Sequence, residues 1–307
     1  VCGAAAKYFS ENFNFDKAPR ISNPYICMKI NTNFKDSVFT KLFSEPDLLR
    51  ELYCALEGTT LPPDLPVSIN TLENVVFMDL YNDISFEIGG KLVVLIEHQS
   101  TINPNMALRL YLYNARVFER IIKGKNLYSR NRLSIPWPEF FVLYNGKEPY
   151  PDNATLRLSD LFEKPQDLGL PKKANPLLEL EVKVININEG KNEAIVNRCK
   201  KLAEYSTFIA KTRSFEKDLQ DREKAVKAAI KYCSRYDILK EFLETYASEV
   251  LNMLLTEWNT EDALAVRFEE GHTEGKREIA KNLLSEGFAV EVIQRTTGLS
   301  LEEIQEL

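Results

Sequence analysis

Residues 82–99, NDISFEIGGKLVVLIEHQ, leave the chain around them little freedom. Asp83 opens a short apolar run, Ile84–Ile88. A Gly89-Gly90 turn follows, then a second run, Leu92–Ile96, that ends in Glu97-His98-Gln99. Two such runs about a Gly-Gly pair read as a β-hairpin. Hairpin geometry brings Asp83 and Glu97 to the same end of the ribbon. An ionised carboxylate taken out of water needs a partner. Two of them about 4 Å apart, at an effective dielectric near 20, repel by roughly 4 kcal/mol. Such a pair either traps a proton or holds a cation. Asn82-Asp83 is also ordinary turn chemistry, but a carboxylate directly after LVVLI has little reason to exist unless something positive meets it.

The chain has 307 residues, 44% of them hydrophobic, enough for one large domain with appendages or for two domains. No run approaches a membrane span, and the opening VCGAAAKYF lacks the apolar core of a signal peptide. The five cysteines show no CxxC spacing and have only His98 and His272 to join them. That excludes a zinc site or disulfide framework as the expectation and points to a reducing cytoplasm. The net charge of −6 argues against indiscriminate nucleic-acid binding, yet it is unevenly spread. Residues 241–307 hold fifteen acids against five bases, which leaves about +4 on the preceding 240. Ala107–Arg132 carries seven bases against the single acid Glu119. Local patches rather than totals set contact with phosphates.

Apolar spacing predicts a helix over residues 34–57, broken or kinked at Pro46 and stopped by Gly58. The proline-rich LPPDLP that follows reads as loop. Three β-like runs come next: Val75–Leu80, Ile84–Ile88 and Leu92–Ile96. A helix is expected from Asn105 to about Ile122, a rigid Pro136-Trp137-Pro138 connector, and a strand over Phe140–Tyr144 closed by Asn145-Gly146. A loop rich in proline and charge then leads to an alternating strand over Leu178–Ile187. From about Asn192 onward the pattern is almost wholly helical. The expected divisions are an N-terminal extension over 1–32, a mixed α/β domain over 33–210, and an acidic helical region over 211–307.

The order helix, three strands, helix, strand, with an acid at the second strand and E-x-Q ending the third, resembles the PD-(D/E)XK nuclease core. Closer still, the chain resembles the recombination-promoting nucleases, also labelled PD-(D/E)XK family transposases. The resemblance is carried by D-x-x-F-x-K-L-F (Asp36–Phe43), NDISF (Asn82–Phe86) and IEHQSTINPNMALR (Ile96–Arg109). PEFFVLYNG (Pro138–Gly146), LRLSDLF (Leu156–Phe162), LELEVKVININ (Leu178–Asn188) and the C-terminal helices continue it. It implies a restriction-endonuclease-like α/β core with a mixed sheet flanked by helices. The implied activity is metal-dependent DNA endonuclease, with Asp83, Glu97 and Gln99 as catalytic residues. The resemblance also implies that the carboxylates of Asp83 and Glu97, with the backbone carbonyl of His98, bind Mg²⁺ or Mn²⁺. Gln99 stands where the wider superfamily carries lysine. Lys91 or a base from residues 109–132 is expected to supply the missing charge, and Asp36 and Glu51 are candidates for a further acid from the first helix.

The helix after Gln99 places Arg109, Tyr113, Arg116 and Arg120 at i, i+4, i+7 and i+11, one continuous face. That face is either a phosphate-binding stripe with little sequence preference or a solvated surface. His98 is expected on the opposite strand face from Glu97 and Gln99. The tail EGFAVEVIQRTTGLSLEEI has the cadence of a helix-turn-helix, but only Arg295 follows Lys281 against five acids. Packing or self-association through the C-terminal helices is therefore expected ahead of DNA reading. The alternative to an enzyme is an inactive nuclease-fold protein that binds DNA or supports assembly, and action on RNA is a weaker third reading.

Overall fold

The computed structural model describes residues 37–70, 83–169, 171 and 176–307, all within a unit spanning Lys35–Leu307. Two helices come first, α1 (Val38–Leu42) and α2 (Pro46–Glu57). Pro46 sits in the first turn of α2, where a missing N–H is harmless, so the expected break becomes a new start. The strands are β1 (Val67–Ile69), β2 (Ile84–Ile88), β3 (Leu92–Gln99), β4 (Trp137–Tyr144), β5 (Asn153–Arg157) and β6 (Glu181–Asn186). Helix α3 (Met106–Ile121) links β3 to β4. After β6 come α4 (Glu193–Val196), α5 (Lys200–Leu219), α6 (Arg222–Arg235) and α7 (Lys240–Ser285), then α8 (Val290–Thr297) and α9 (Leu301–Gln305).

The fold is mixed α/β: one six-stranded sheet in the order β1-β2-β3-β4-β6-β5, flanked by helices and followed by a helical C-terminus. The pairs β1/β2, β2/β3 and β5/β6 are antiparallel, whereas β3/β4 and β4/β6 are parallel. Parallel strands are covered on both faces, which is why LVVLI and FFVLY read as unbroken apolar runs. Val93, Leu95, Phe140, Val142, Val182 and Val184 pack with α3 on one side. Val94, Ile96, Phe141, Leu143 and Ile185 pack with α1, α2, α5 and α6 on the other.

Gly89 and Gly90 both have positive φ, as the tight β2–β3 turn requires. At Gly146, just past β4, a Cβ would collide with the Ser100 carbonyl oxygen and the Tyr144 phenol.

Several expectations need correction. β4 begins at Trp137, inside the stretch read as a rigid connector. Pro138 is tolerated because β6 joins β4 only from Phe141 onward, so no ladder partner exists on that side. The loop after Gly146 contains β5, an edge strand with alternating exposure and only β6 for a neighbour. β1 follows directly on the proline-rich loop and completes the antiparallel edge. The run Val75–Leu80 lies outside the described residues.

Position 210 falls inside α5, and the apolar cluster on that face continues through Val226, Ala229 and Cys233 to Leu254 in α7. Lys41 of α1 also reaches α7, bonding Glu249 at 2.6 Å and lying 4.1 Å above the Tyr246 ring. Helix α7 is kinked at Tyr246. Among the described residues no helix is long and apolar enough to cross a membrane.

Candidate active site

Strand parity decides which side chains meet. Ile84, Phe86 and Ile88 face α1 and α2, so Asp83 belongs to the α3 side. Along β3, Val93 and Leu95 face α3 while Val94 and Ile96 face away, so Glu97 and Gln99 continue the α3 row and His98 the other. The register pairs Ile84 with Ile96 and places Asp83 opposite Glu97 one step further on. Two hydrogen bonds fix the pair. The His98 N–H donates to Asp83 Oδ2 at 2.7 Å, and the Asp83 N–H donates to Glu97 Oε1 at 3.2 Å. Glu97 is only 3% exposed.

Helix α3 brings the compensating charge. Arg109 Nη2 donates to Glu97 Oε2 at 3.3 Å. Nη2 and Nε of the same guanidinium donate to the Tyr113 hydroxyl at 2.9 and 3.2 Å, and Nη1 lies 3.2 Å from the Met106 sulfur. Gln99 Nε2 lies 2.8 Å from that sulfur, so the amide is turned toward α3.

Burial pushes the Asp83 carboxyl up to about 6, against the opposing pull of the His98 N–H and of Arg109. Burial, then the charge of Asp83, pushes Glu97 well above the usual carboxylate range, with Arg109 and the Asp83 N–H pulling back. Burial works against the charge of Arg109, but Glu97 and Tyr113 outweigh it and hold its pKa above the ordinary value. Two carboxylates share one guanidinium. The excess negative charge calls for a proton or a cation.

On the opposite face the His98 ring stacks on Phe39 at 4.9 Å, and its Nε2 lies 3.1 Å from the Tyr205 hydroxyl. Burial, and then the charge of Arg213, lowers its pKa to about 3, so the imidazole is neutral. Beside it, at the C-terminal ends of β3, β4 and β6, Arg213 of α5 gathers a polar cluster. It donates to Asn145 Oδ1 at 3.0 Å, to Asn188 Oδ1 at 2.8 Å and to the Asn145 carbonyl. The Asn145 N–H in turn bonds the Gln99 carbonyl at 2.8 Å.

Residues 36–231 match the family described as "Putative transposase, YhgA-like". The chain belongs to this YhgA-like family. Residues 273–307 match a second description, "Rpn/YhgA-like nuclease family, C-terminal HTH domain". No curated protein and no solved structure matches the chain.

In this YhgA-like chain Asp83, Glu97 and Gln99 converge at one end of β2 and β3, and Arg109 and Tyr113 join them from α3. Arg116 and Arg120 do not reach the pair. Arg116 bonds Glu119 at 2.7 Å, and Arg120 donates to the Asn70 carbonyl at 3.3 Å. Lys91 is a correction: it lies in the β2–β3 turn, six residues and about 20 Å along the strand from Glu97. Glu51 is another, because its carboxylate accepts from the Lys200 N–H at 3.0 Å at the start of α5, away from Asp83. Asp36 lies outside the described residues.

Sequence reading missed Met106, Tyr205 and the Arg213–Asn145–Asn188 cluster. Only Met106 carried a local signal, three residues before Arg109 on the same helix face. The HTH unit is built from the end of α7 with α8 and α9, around Ala280, Ile293, Leu299 and Ile304. Ser300 and Glu303 form a capping box at the start of α9.

Proposed function

We propose that this chain is a metal-dependent endonuclease of PD-(D/E)XK type that hydrolyses DNA phosphodiesters. The observation that carries this reading is the buried Asp83–Glu97 pair, two carboxylates locked together by backbone N–H groups with one guanidinium bonded to Glu97. The donor chemistry fits a hard cation. Among the described residues no group of three or more His, Cys, Asp or Glu side chains is placed to hold a metal; the side-chain donors at this pair are carboxylate oxygens, which suit a hard cation. Asp83 and Glu97 would hold Mg²⁺ or Mn²⁺. The His98 carbonyl would join them, since a residue's N–H and C=O leave a strand on the same side and the His98 N–H already points at Asp83. When bound, the cation supplies Lewis-acid polarisation and neutralises charge gathering on the phosphate.

The chain's own groups do the rest. Gln99 offers a neutral amide that orients water or a phosphate oxygen, while Arg109 supplies the positive charge that glutamine lacks. Tyr113 fixes the angle of that guanidinium. Phosphate contact along α3 gives salt-dependent affinity with little base preference.

The HTH unit holds seven acids and four bases over residues 273–307. Its last helix carries Glu302 and Glu303, which phosphates repel, while Ile279, Phe288 and Leu301 stand exposed. That composition suits pairing with a second copy of the chain better than reading base edges.

The deciding experiment is conversion of supercoiled plasmid with Mg²⁺, Mn²⁺ or chelator, beside Asp83→Ala. Metal-dependent nicking lost in the variant is expected. A folded, DNA-bound wild type that cuts with neither metal would leave a non-catalytic binding protein.

A further inference from the structure

The 15 residues after α3, 122–136, form no regular element and stand at the far end of the sheet from Asp83 and Glu97. Helix α3 runs from the carboxylate end toward the loop, about 24 Å for its 16 residues. Trp137, where the loop re-enters the sheet, pairs with Leu92 at the start of β3, and its N–H bonds the Lys91 carbonyl at 2.8 Å.

Two properties of this end are unusual together. Residues 120–138 contain five bases (Arg120, Lys123, Lys125, Arg130, Arg132) and no acid, in a chain whose net charge is −6. Among those bases stand large rings open to solvent, Tyr128 at 97% exposure and Trp137 at 71%, with Leu127 beside Tyr128 at 66%. Short hydrogen-bonded turns hold the loop without covering the Tyr128 ring. The Asn126 side chain accepts the Tyr128 N–H at 2.9 Å, and the Asn126 carbonyl accepts the Ser129 N–H at 3.2 Å. An apolar partner would be met by the charges of Lys123, Lys125, Arg130 and Arg132, and a simple polyanion would leave the rings without use. Unpaired nucleotides satisfy both, since each brings a phosphate for Lys or Arg and a base face for an aromatic ring. In a duplex the base faces are stacked away.

We propose that the 122–137 loop is a single-strand anchor, in which Tyr128 and Trp137 stack on unpaired DNA bases while Lys123, Lys125, Arg130 and Arg132 hold the backbone. Arg116 and Arg120 on α3 lie between the anchor and the carboxylate pair, so a strand seated on the loop is led along α3 toward Glu97. The substrate would then be DNA with an unpaired flank. This second step, and the choice of DNA over RNA, rest on the nuclease reading; the seating of unpaired nucleotides on the loop does not.

The test is fluorescence anisotropy of the full-length chain, in chelator, with a labelled 20-nucleotide single strand, the matching duplex and an RNA of the same sequence. Tighter binding to single-stranded DNA than to duplex or RNA is expected, with quenching of tryptophan fluorescence that Trp137→Ala abolishes. Tyr128→Ala with Trp137→Ala should weaken single-strand binding by roughly 10-fold or more, as loss of two stacked bases implies, and leave duplex binding nearly unchanged. Replacing the four bases by Gln should lower the salt slope by about 3. Tyr128→Phe with Trp137→Phe keeps both rings and should bind as wild type, which separates stacking from misfolding. Equal affinity for duplex, preference for RNA, or unchanged binding by the double alanine variant would each overturn the anchor. Binding is measured in chelator, so absence of cleavage by the wild type with Mg²⁺ or Mn²⁺ would retire the nuclease reading without touching this one.

Discussion

Asp83 and Glu97 are joined twice across the β2–β3 hairpin: the Asp83 N–H reaches the Glu97 carboxylate, and the N–H following Glu97 reaches the Asp83 carboxylate. Each strand thereby locks the acid of the other, and the two charges cannot drift apart to relieve their repulsion. Replacing Asp83 by Asn keeps an oxygen for the His98 N–H and removes the uncompensated charge, leaving Glu97 and Arg109 as a one-to-one pair. Asp83→Asn is therefore expected to melt a few degrees above wild type in chelator at pH 8. Its cleavage should fall by about 100-fold or more, the scale of losing charge stabilisation at a reacting centre. A lower melting temperature in chelator would mean that Asp83 is not held against its charge.

The same pair sets a pH dependence. The folded-state pKa of Asp83 is about 6, above its ordinary 3.8, and that of Glu97 is raised as well. In this window the folded chain binds more protons than the unfolded one, so stability falls as pH rises from about 4 through 6. His98 acts in the opposite sense. Its pKa is lowered from 6.5 to about 3, so the unfolded chain takes up the proton first and stability falls as pH drops below 6.5. In denaturant titrations without metal, His98→Phe keeps the stack on Phe39 and should expose the carboxylate trend alone, with stability rising on acidification. Mg²⁺ or Mn²⁺ should cancel that trend at pH 7 and above.

The hairpin and its acids were legible in the sequence because period-two alternation and a Gly-Gly turn fix both register and face. Arg109 and Tyr113 were legible because helical spacing is local. β5 was not, since an edge strand with one neighbour needs few apolar residues and its alternation drowned in a charged stretch. Lys91 misled for a related reason: a residue near Glu97 in sequence lies far from it along an extended strand. The Arg213 cluster joins positions 145, 188 and 213, and no periodicity links residues so far apart. Position 210, expected as the end of the α/β domain, lies inside a helix, and the apolar cluster on that face runs on past it to Leu254.

Arg109 stands where a cation would be needed and is itself a cation. Removing it should raise the affinity of the carboxylate pair for Mn²⁺, because the competing charge is gone, while slowing cleavage because the phosphate loses its guanidinium. Calorimetric titration of Arg109→Gln should show tighter Mn²⁺ binding by several-fold beside a rate loss on the order of 10²-fold. Weaker Mn²⁺ binding would instead make Arg109 a support that holds Glu97 in place.

Arg213 fastens the ends of β4 and β6, giving charged hydrogen bonds to Asn145 and Asn188. Arg213→Ala leaves those acceptors unpaired in a setting where Asn145 is only 2% exposed. A loss of about 2–4 kcal/mol in urea unfolding is expected. The Gln99 carbonyl is bonded to the Asn145 N–H, so cleavage by the folded variant should fall as well. A variant as stable as wild type would show that solvent replaces the guanidinium without cost.

The acidic tail invites removal, and the core dictates where to cut. A chain ending at Lys240 would lose Leu243, Val250 and Leu254 from the cluster against α5 and α6, and is expected to misfold. Ending after His272 instead deletes the segment matching the HTH domain and leaves those residues in place. The deletion removes seven acids and four bases, which leaves the remaining chain less negative by three charges. DNA affinity should therefore hold or rise slightly, while sedimentation should show smaller particles if the exposed Phe288 and Leu301 join two copies. A large drop in DNA affinity with unchanged particle size would assign the HTH unit to DNA after all, its acids notwithstanding.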